Sequence, residues 1–152
     1  MFKRIVVGTD GSASASIALE KAIELSRATG AVLHVVYATK PVTAVNLGAA
    51  SEFAMAAPIN MVLDQTDDEA RRICENATEM VKQAGVAVET HHVAGDPADA
   101  LVRVAQDADA DLIVVGNRGM SGARRFVLGS VPNKVSHHCP CSLLIVDTTV
   151  AK

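Results

Sequence analysis

Residues 110–130 read ADLIVVGNRGMSGARRFVLGS. The stretch opens as an unbroken apolar run, the pattern of a strand buried on both faces. It then places Gly116, Gly119, Gly122 and Gly129 in one connection, with Ser130 after the last. Glycine loses more backbone entropy on folding than any other residue, so this concentration predicts tight turns or a ligand held against the main chain. What surrounds the loop has to decide between the two.

Short runs of the same kind recur at RIVVGT (4–9), VLHVVYA (32–38), VAVETHHV (86–93) and SLLIVD (142–147). With DLIVVG (111–116) they make five predicted strands, and only 86–93 mixes polar and apolar residues in alternation. Helical spacing fills the gaps. Ile17, Ala18, Ala22, Ile23 and Leu25 form one stripe over about 14–29, with serines before it and Gly30 after it. Ile73, Ala77, Met80 and Val81 continue a stripe begun at Val62 and Leu63, over about 60–84, and Gly85 ends it. A third helix starts at DPADAL, where Asp96 can cap and Pro97 can take the first helical position without losing a needed N–H. A fourth runs from about Ser130 to His138, with Val131 and Val135 facing inward.

The order β-α-β-α-β-α-β-α-β predicts a single α/β domain over residues 1–152: a Rossmann-like open sheet of five mostly parallel strands, with right-handed crossovers and helices on both faces. IVVGTDGS at 5–12 echoes IVVGNRGMS at 113–121, which reads as two half-folds. Ligands of such sheets sit beyond the carboxyl ends of the strands, where the winding direction reverses. If strands one and four flank that reversal, the loops at Asp10 and Gly116 share one crevice. Residues 39–58 show no period and form a long connection, either a lid or a disordered segment.

Composition sets bounds on the partners. The chain is 49% hydrophobic but 3% aromatic, so its core is aliphatic. A formal charge of −3 supplies no basic footprint for nucleic acid or an anionic membrane surface. The apolar run before Gly8 is only three residues, Ile5–Val7, too short for a signal-peptide core, and no run approaches the ~18 residues of a membrane span. Three cysteines, Cys74, Cys139 and Cys141, argue against a disulfide framework and for a reducing, cytoplasmic setting.

Within this frame the glycine loop suits an anion. A helix starting at Ser130 points unpaired N–H groups and a partial positive charge into the crevice, and the serine adds a hydroxyl. The pattern is neither a Walker A loop, since no lysine precedes Ser130, nor the GxGxxG of dinucleotide folds. A ligand-free turn explains the spacing equally well.

The spacing Gly116-two-Gly119-nine-Gly129-Ser130, the opening IVVGTDGS and the ending HHCPCSLLIV together resemble the universal stress protein family, in its ATP-binding branch, over nearly the whole chain. That resemblance implies an adenine nucleotide α-hydrolase-like fold and a bound ATP, AMP or cyclic AMP. It assigns Thr9 and Asp10 to first-strand contacts, Val36 to the base and Val115 to packing beneath it. Gly116, Gly119, Gly129, Ser130 and Val131 would hold ribose and phosphates, with Arg118 at a variable position among them. Asp10 is also the carboxylate that would meet a Mg²⁺ on the phosphates. Pro132 departs from the threonine or serine that many nucleotide-binding members carry there. It removes a hydroxyl and an N–H from the helix start, which bears on triphosphate against monophosphate.

Each of these residues has a plainer role beside the sharp one. Asp10 before Gly11 is also a turn signal. Arg124 and Arg125 read equally as a phosphate clamp or a solvated loop. His137, His138, Cys139 and Cys141 lack zinc-ligand spacing and suit a helix C-terminus. His34 reads as packed in the sheet, His91 and His92 as strand surface, and Cys74 as a small core residue. The function expected is a nucleotide-binding stress-response regulator with slow or no hydrolysis, because the base and cationic clamps of phosphoryl transfer are missing from the pattern. The alternatives are an enzyme that hydrolyses nucleotide or transfers a phosphoryl or adenylyl group in the same crevice, and a nucleotide-free interaction module. The last strand, Ser142–Val150, is apolar at a sheet edge and predicts pairing with a second copy.

Overall fold

Why five aliphatic runs should share one sheet is answered by their pairing. A computed structural model describes residues 1–39, 59–118 and 127–149, the side chains of 59–66 aside. Its strands are β1 (Arg4–Gly8), β2 (Val32–Thr39), β3 (Val88–Ala94), β4 (Leu112–Gly116) and β5 (Ser142–Val146). Its helices are α1 (Ala13–Thr29), α2 (Ile59–Gln83), α3 (Pro97–Asp107) and α4 (Ser130–His138). The sheet order is β3-β2-β1-β4-β5. Every pairing is parallel, so the mostly parallel sheet expected from sequence is wholly parallel.

Period two sorts each strand between two cores. Ile5 and Val7 of β1 pack with Leu19 and Ala22 of α1 and with Ala77 and Val81 of α2 on one face. Val6 turns to the other face, where Leu101 and Val104 of α3 and Val135 of α4 cover it. β1 is therefore buried on both sides, with Ile5, Val6 and Val7 all at 0% exposure. The aliphatic composition follows from this geometry, because central parallel strands present no wet face. The outer strand β3 is only partly covered, with Val88, His91 and Val93 half-buried and its other residues exposed.

Helix starts and stops follow local chemistry. Ser12 caps α1 by accepting from the Ala15 N–H, and Gly30 closes it at φ 74° in the left-handed region. Asp96 caps α3 by accepting from the Ala98 and Asp99 N–H groups, with Pro97 at the first position. The winding reverses between β1 and β4, which are adjacent in the sheet but far apart in the chain. Residues 40–58 of the predicted connection lie outside the described residues.

Candidate functional site

At the carboxyl ends of β1 and β4 a cleft opens, and it gathers most of the residues expected there. Thr9, Asp10, Val36, Val115, Gly116, Arg118, Ser130 and Val131 all line it. Gly129 stands at its edge as the N-cap of α4. Gly119 lies outside the described residues, as do Gly122, Arg124 and Arg125. Val36 and Val115 are 2% and 4% exposed, which makes an apolar floor. Leu101, Ala38 and Pro97 extend that floor without having been anticipated; the register that brings them there is visible only once the strands are ordered.

The loop after β1 begins with a backbone tie. The Thr9 N–H donates to the Val36 carbonyl at 2.9 Å, so one lone pair of that carbonyl is engaged by the fold. Asp10 Oδ1 accepts from the Ser12 N–H at 2.9 Å and Thr9 Oγ1 from the Gly11 N–H at 3.3 Å. Gly11 has φ 77°, which only glycine adopts freely. Asp10 is thus both a turn residue and an exposed carboxylate on the cleft, and the helix cap itself falls to Ser12.

Gly116 answers the opening question in part. A Cβ there would stand 2.9 Å from Thr148 Cγ2, closer than real side chains pack. The chain beyond β5 by itself demands a glycine here, at a position that also lines the cleft. Thr148 is held in turn by Asn117, whose Oδ1 accepts from the Thr148 N–H at 3.0 Å and its hydroxyl at 2.8 Å. Asn117 Nδ2 donates to Asp147 Oδ1 at 3.1 Å. The same carboxylate takes hydroxyl and N–H bonds from Thr149, and these hold its pKa below the ordinary 3.8.

Gly129 is the other kind of glycine. The first turn of α4 has no side-chain cap bond. Pro132 has no N–H to give, so the open donors of this start are the Ser130 and Val131 N–H groups, with the Ser130 hydroxyl beside them. They lie along a cleft wall whose described ionisable groups are Asp10 and Arg118. An uncapped helix start at an apolar-floored crevice can take an anion with an uncharged body behind it.

The cysteines near the end of the chain serve packing. Cys139 donates its thiol to the Cys141 carbonyl at 3.1 Å. The Cys141 thiol is pushed up to about 12, first by burial and then by the neighbouring Cys139. Neither sits in a potential metal-holding group among the described residues.

The universal stress protein family model matches residues 1–147. Universal stress protein YxiE of Bacillus subtilis is 34% identical over 149 residues, covering 96% of this chain and 99% of that protein. Universal stress protein Rv1636 of Mycobacterium tuberculosis is 37% identical, covering 97% and 98%. Among solved structures, a universal stress protein in complex with cAMP is 34% identical, with a TM-score of 0.72 over 97% of this chain and 99% of that one. Another, from Archaeoglobus fulgidus in complex with dAMP, is 25% identical with a TM-score of 0.67, covering 94% and 96%. The end-to-end match to the family model, the relatives and the shared parallel fold agree: this chain belongs to the universal stress protein family.

Proposed function

We propose that the cleft binds an adenine nucleotide and that the protein acts as a nucleotide-responsive stress regulator. The observation that carries this reading is the uncapped start of α4, opening beside an apolar floor at the winding reversal. Relatives of the same fold in complex with cAMP and with dAMP support it. The base lies over Val36 and Val115, and the phosphate meets the Ser130 and Val131 N–H groups and the Ser130 hydroxyl. Among the described residues, two amides and a hydroxyl suit one phosphate group, as AMP or cyclic AMP carries, and the further phosphates of ATP would fall to the glycine loop. Asp10, the one carboxylate among the described lining residues, would be the protein ligand of a Mg²⁺ on those phosphates, the rest of its shell being phosphate oxygens and water.

Hydrolysis is expected to be slow. Asp10 is already spent in part on the Ser12 N–H, and general-base work needs a group free to take the proton of an attacking water. The edge strand β5, with Ile145 37% exposed, is the surface through which Ser142–Val150 would pair with a second copy.

Calorimetric titration of the nucleotide-stripped protein with ATP, AMP and cyclic AMP, with and without Mg²⁺, tests the reading. Saturable binding by one of the three is expected. No binding by any of them would leave the cleft as structure alone and favour an interaction module. Product formation lost in Asp10→Ala with binding retained would instead favour an enzyme. Light scattering decides the pairing, since a monomer rejects β5 as an interface.

A further inference from the structure

At the other end of the sheet, three side chains converge that sequence spacing had kept apart. His34 lies opposite Glu89 across the β2–β3 pairing, and Val36 opposite His91. Glu89 and His91 are two apart on β3 and so project from the same face, the one on which His34 stands. His34 Nδ1 is 3.0 Å from His91 Nε2 and 3.6 Å from Glu89 Oε2, and the three ligand atoms all lie within 4.8 Å of one another. The imidazoles stack with centroids 5.2 Å apart. They flank a hollow walled by Val104 of α3 and Ala108, the residue that caps its C-terminus.

We propose that His34, Glu89 and His91 form a binding site for a zinc-class divalent cation, independent of the nucleotide cleft. A tetrahedral ion bound at ~2.0–2.2 Å holds its ligand atoms about 3.3 Å from one another. Two of the three separations, 3.0 and 3.6 Å, bracket that value and the third lies within 4.8 Å, so side-chain adjustments bring all three atoms onto the ion. Two imidazoles and one carboxylate leave a fourth position open to water. The donor set favours zinc, cobalt or nickel over magnesium, which prefers an oxygen shell.

The protonation states agree with this geometry. Burial first, then His91 and Arg4, holds His34 below its usual pKa against the opposing pull of Glu89, so its ring stays neutral and keeps a lone pair. His34 Nδ1 and His91 Nε2 are within hydrogen-bond distance, one ring donating to the other. Binding an ion at both atoms requires each ring to carry its proton on the outer nitrogen. Charge around the hollow is balanced, Lys3 and Arg4 against Glu89 and Asp107, so selectivity rests on the imidazoles and not on a surplus of carboxylates. His34 Nε2 is buried without a hydrogen-bond partner. Ligating histidines usually donate that outer N–H to an acceptor, and removing such a partner typically costs 10–100-fold in affinity, so binding is expected to be weaker than in structural zinc sites.

The test is calorimetric titration of the full chain with Zn²⁺ and Co²⁺, with Mg²⁺ for comparison. It is run on the wild type, His91→Ala, Glu89→Gln and a Cys139→Ser/Cys141→Ser double variant, each checked for folding by circular dichroism. We expect one equivalent of Zn²⁺ to bind, at least tenfold more weakly in His91→Ala and Glu89→Gln, and unchanged in the cysteine variant. Bound Co²⁺ should give the strong visible absorption of a four-coordinate ion, lost with His91. No binding above that of Mg²⁺, or binding that survives both β3 substitutions, overturns the proposal. So does binding that disappears only with the cysteines.

Discussion

Helices α3 and α4 begin side by side, and they begin in opposite ways. At α3 the Asp96 carboxylate covers two orphan N–H groups, Pro97 removes a third, and Lys134 of α4 reaches across to Asp96 at 3.2 Å and to Asp99 at 2.9 Å. At α4 the cap is a glycine with no side chain to offer. Both starts face the same general need, since four N–H groups of every helix lack an internal partner. One meets it from its own sequence. The other has no side chain of its own to meet it, and that is where the proposed phosphate would sit.

Closing the open start should have the largest effect. Gly129→Asp places a carboxylate where the phosphate is proposed to sit, so nucleotide affinity should fall by at least tenfold, about 1.4 kcal/mol. The unliganded protein should gain up to ~1 kcal/mol from the new cap and the helix dipole. Calorimetry and thermal melting of one preparation check both signs. Weaker binding without stabilisation would mean that the substitution merely damaged the loop.

A comparable effect on stability is expected at the neighbouring glycine. Gly116→Ala drives a methyl into Thr148 at 2.9 Å, and overpacking of this kind costs roughly 1–3 kcal/mol. Thr148→Ser in the same chain removes the opposing methyl and keeps the hydroxyl for Asn117, so denaturant melts should show most of the loss restored. Without that rescue, the demand for glycine at 116 has some other source.

Opening the closed start comes next. Asp96→Ala should cost about 1 kcal/mol by loss of the cap, with little change in nucleotide affinity.

The smallest effect is its pH dependence. Burial pushes the Asp96 carboxyl up, but hydrogen bonds from the Asp99 N–H, Lys134 and the Ala98 N–H outweigh it and hold the group below its ordinary 3.8. A depressed folded pKa stabilises fully above the unfolded value and is lost as pH falls through the folded one. Wild type and Asp96→Ala should therefore converge in stability only below about pH 4. Urea melts across that window would contradict the assignment if the gap stayed constant.

The fold was legible because central parallel strands leave an unmistakable trace: IVV and LIVV cannot alternate when both faces are covered. Most of the cleft was legible for a related reason, since residues directly after β1 and β4 must meet wherever the winding reverses. The function of each glycine was not. Gly116 and Gly129 look alike in the sequence, and only the position of Thr148, a residue 32 places after Gly116 in the numbering, tells them apart. His34 and His91 were read separately, as a packed residue and a surface one, because nothing local to either reveals that β2 and β3 are neighbours in that register. Asp10 was weighed as turn or ligand, and its geometry allows both at once.

Asn117 fastens the glycine loop to the chain after β5 through the Val146 carbonyl, the Asp147 carboxylate and both donors of Thr148. The contact joins points 31 residues apart, and everything between them, α4 and β5 included, is a closed loop pinned at both ends. The hydrogen bonds of Asn117 thus link the end of β4 to the chain just after β5. Asn117 also accepts from the Gly129 N–H at 2.9 Å, so one side chain and its backbone join the N-cap of α4 to the chain after β5.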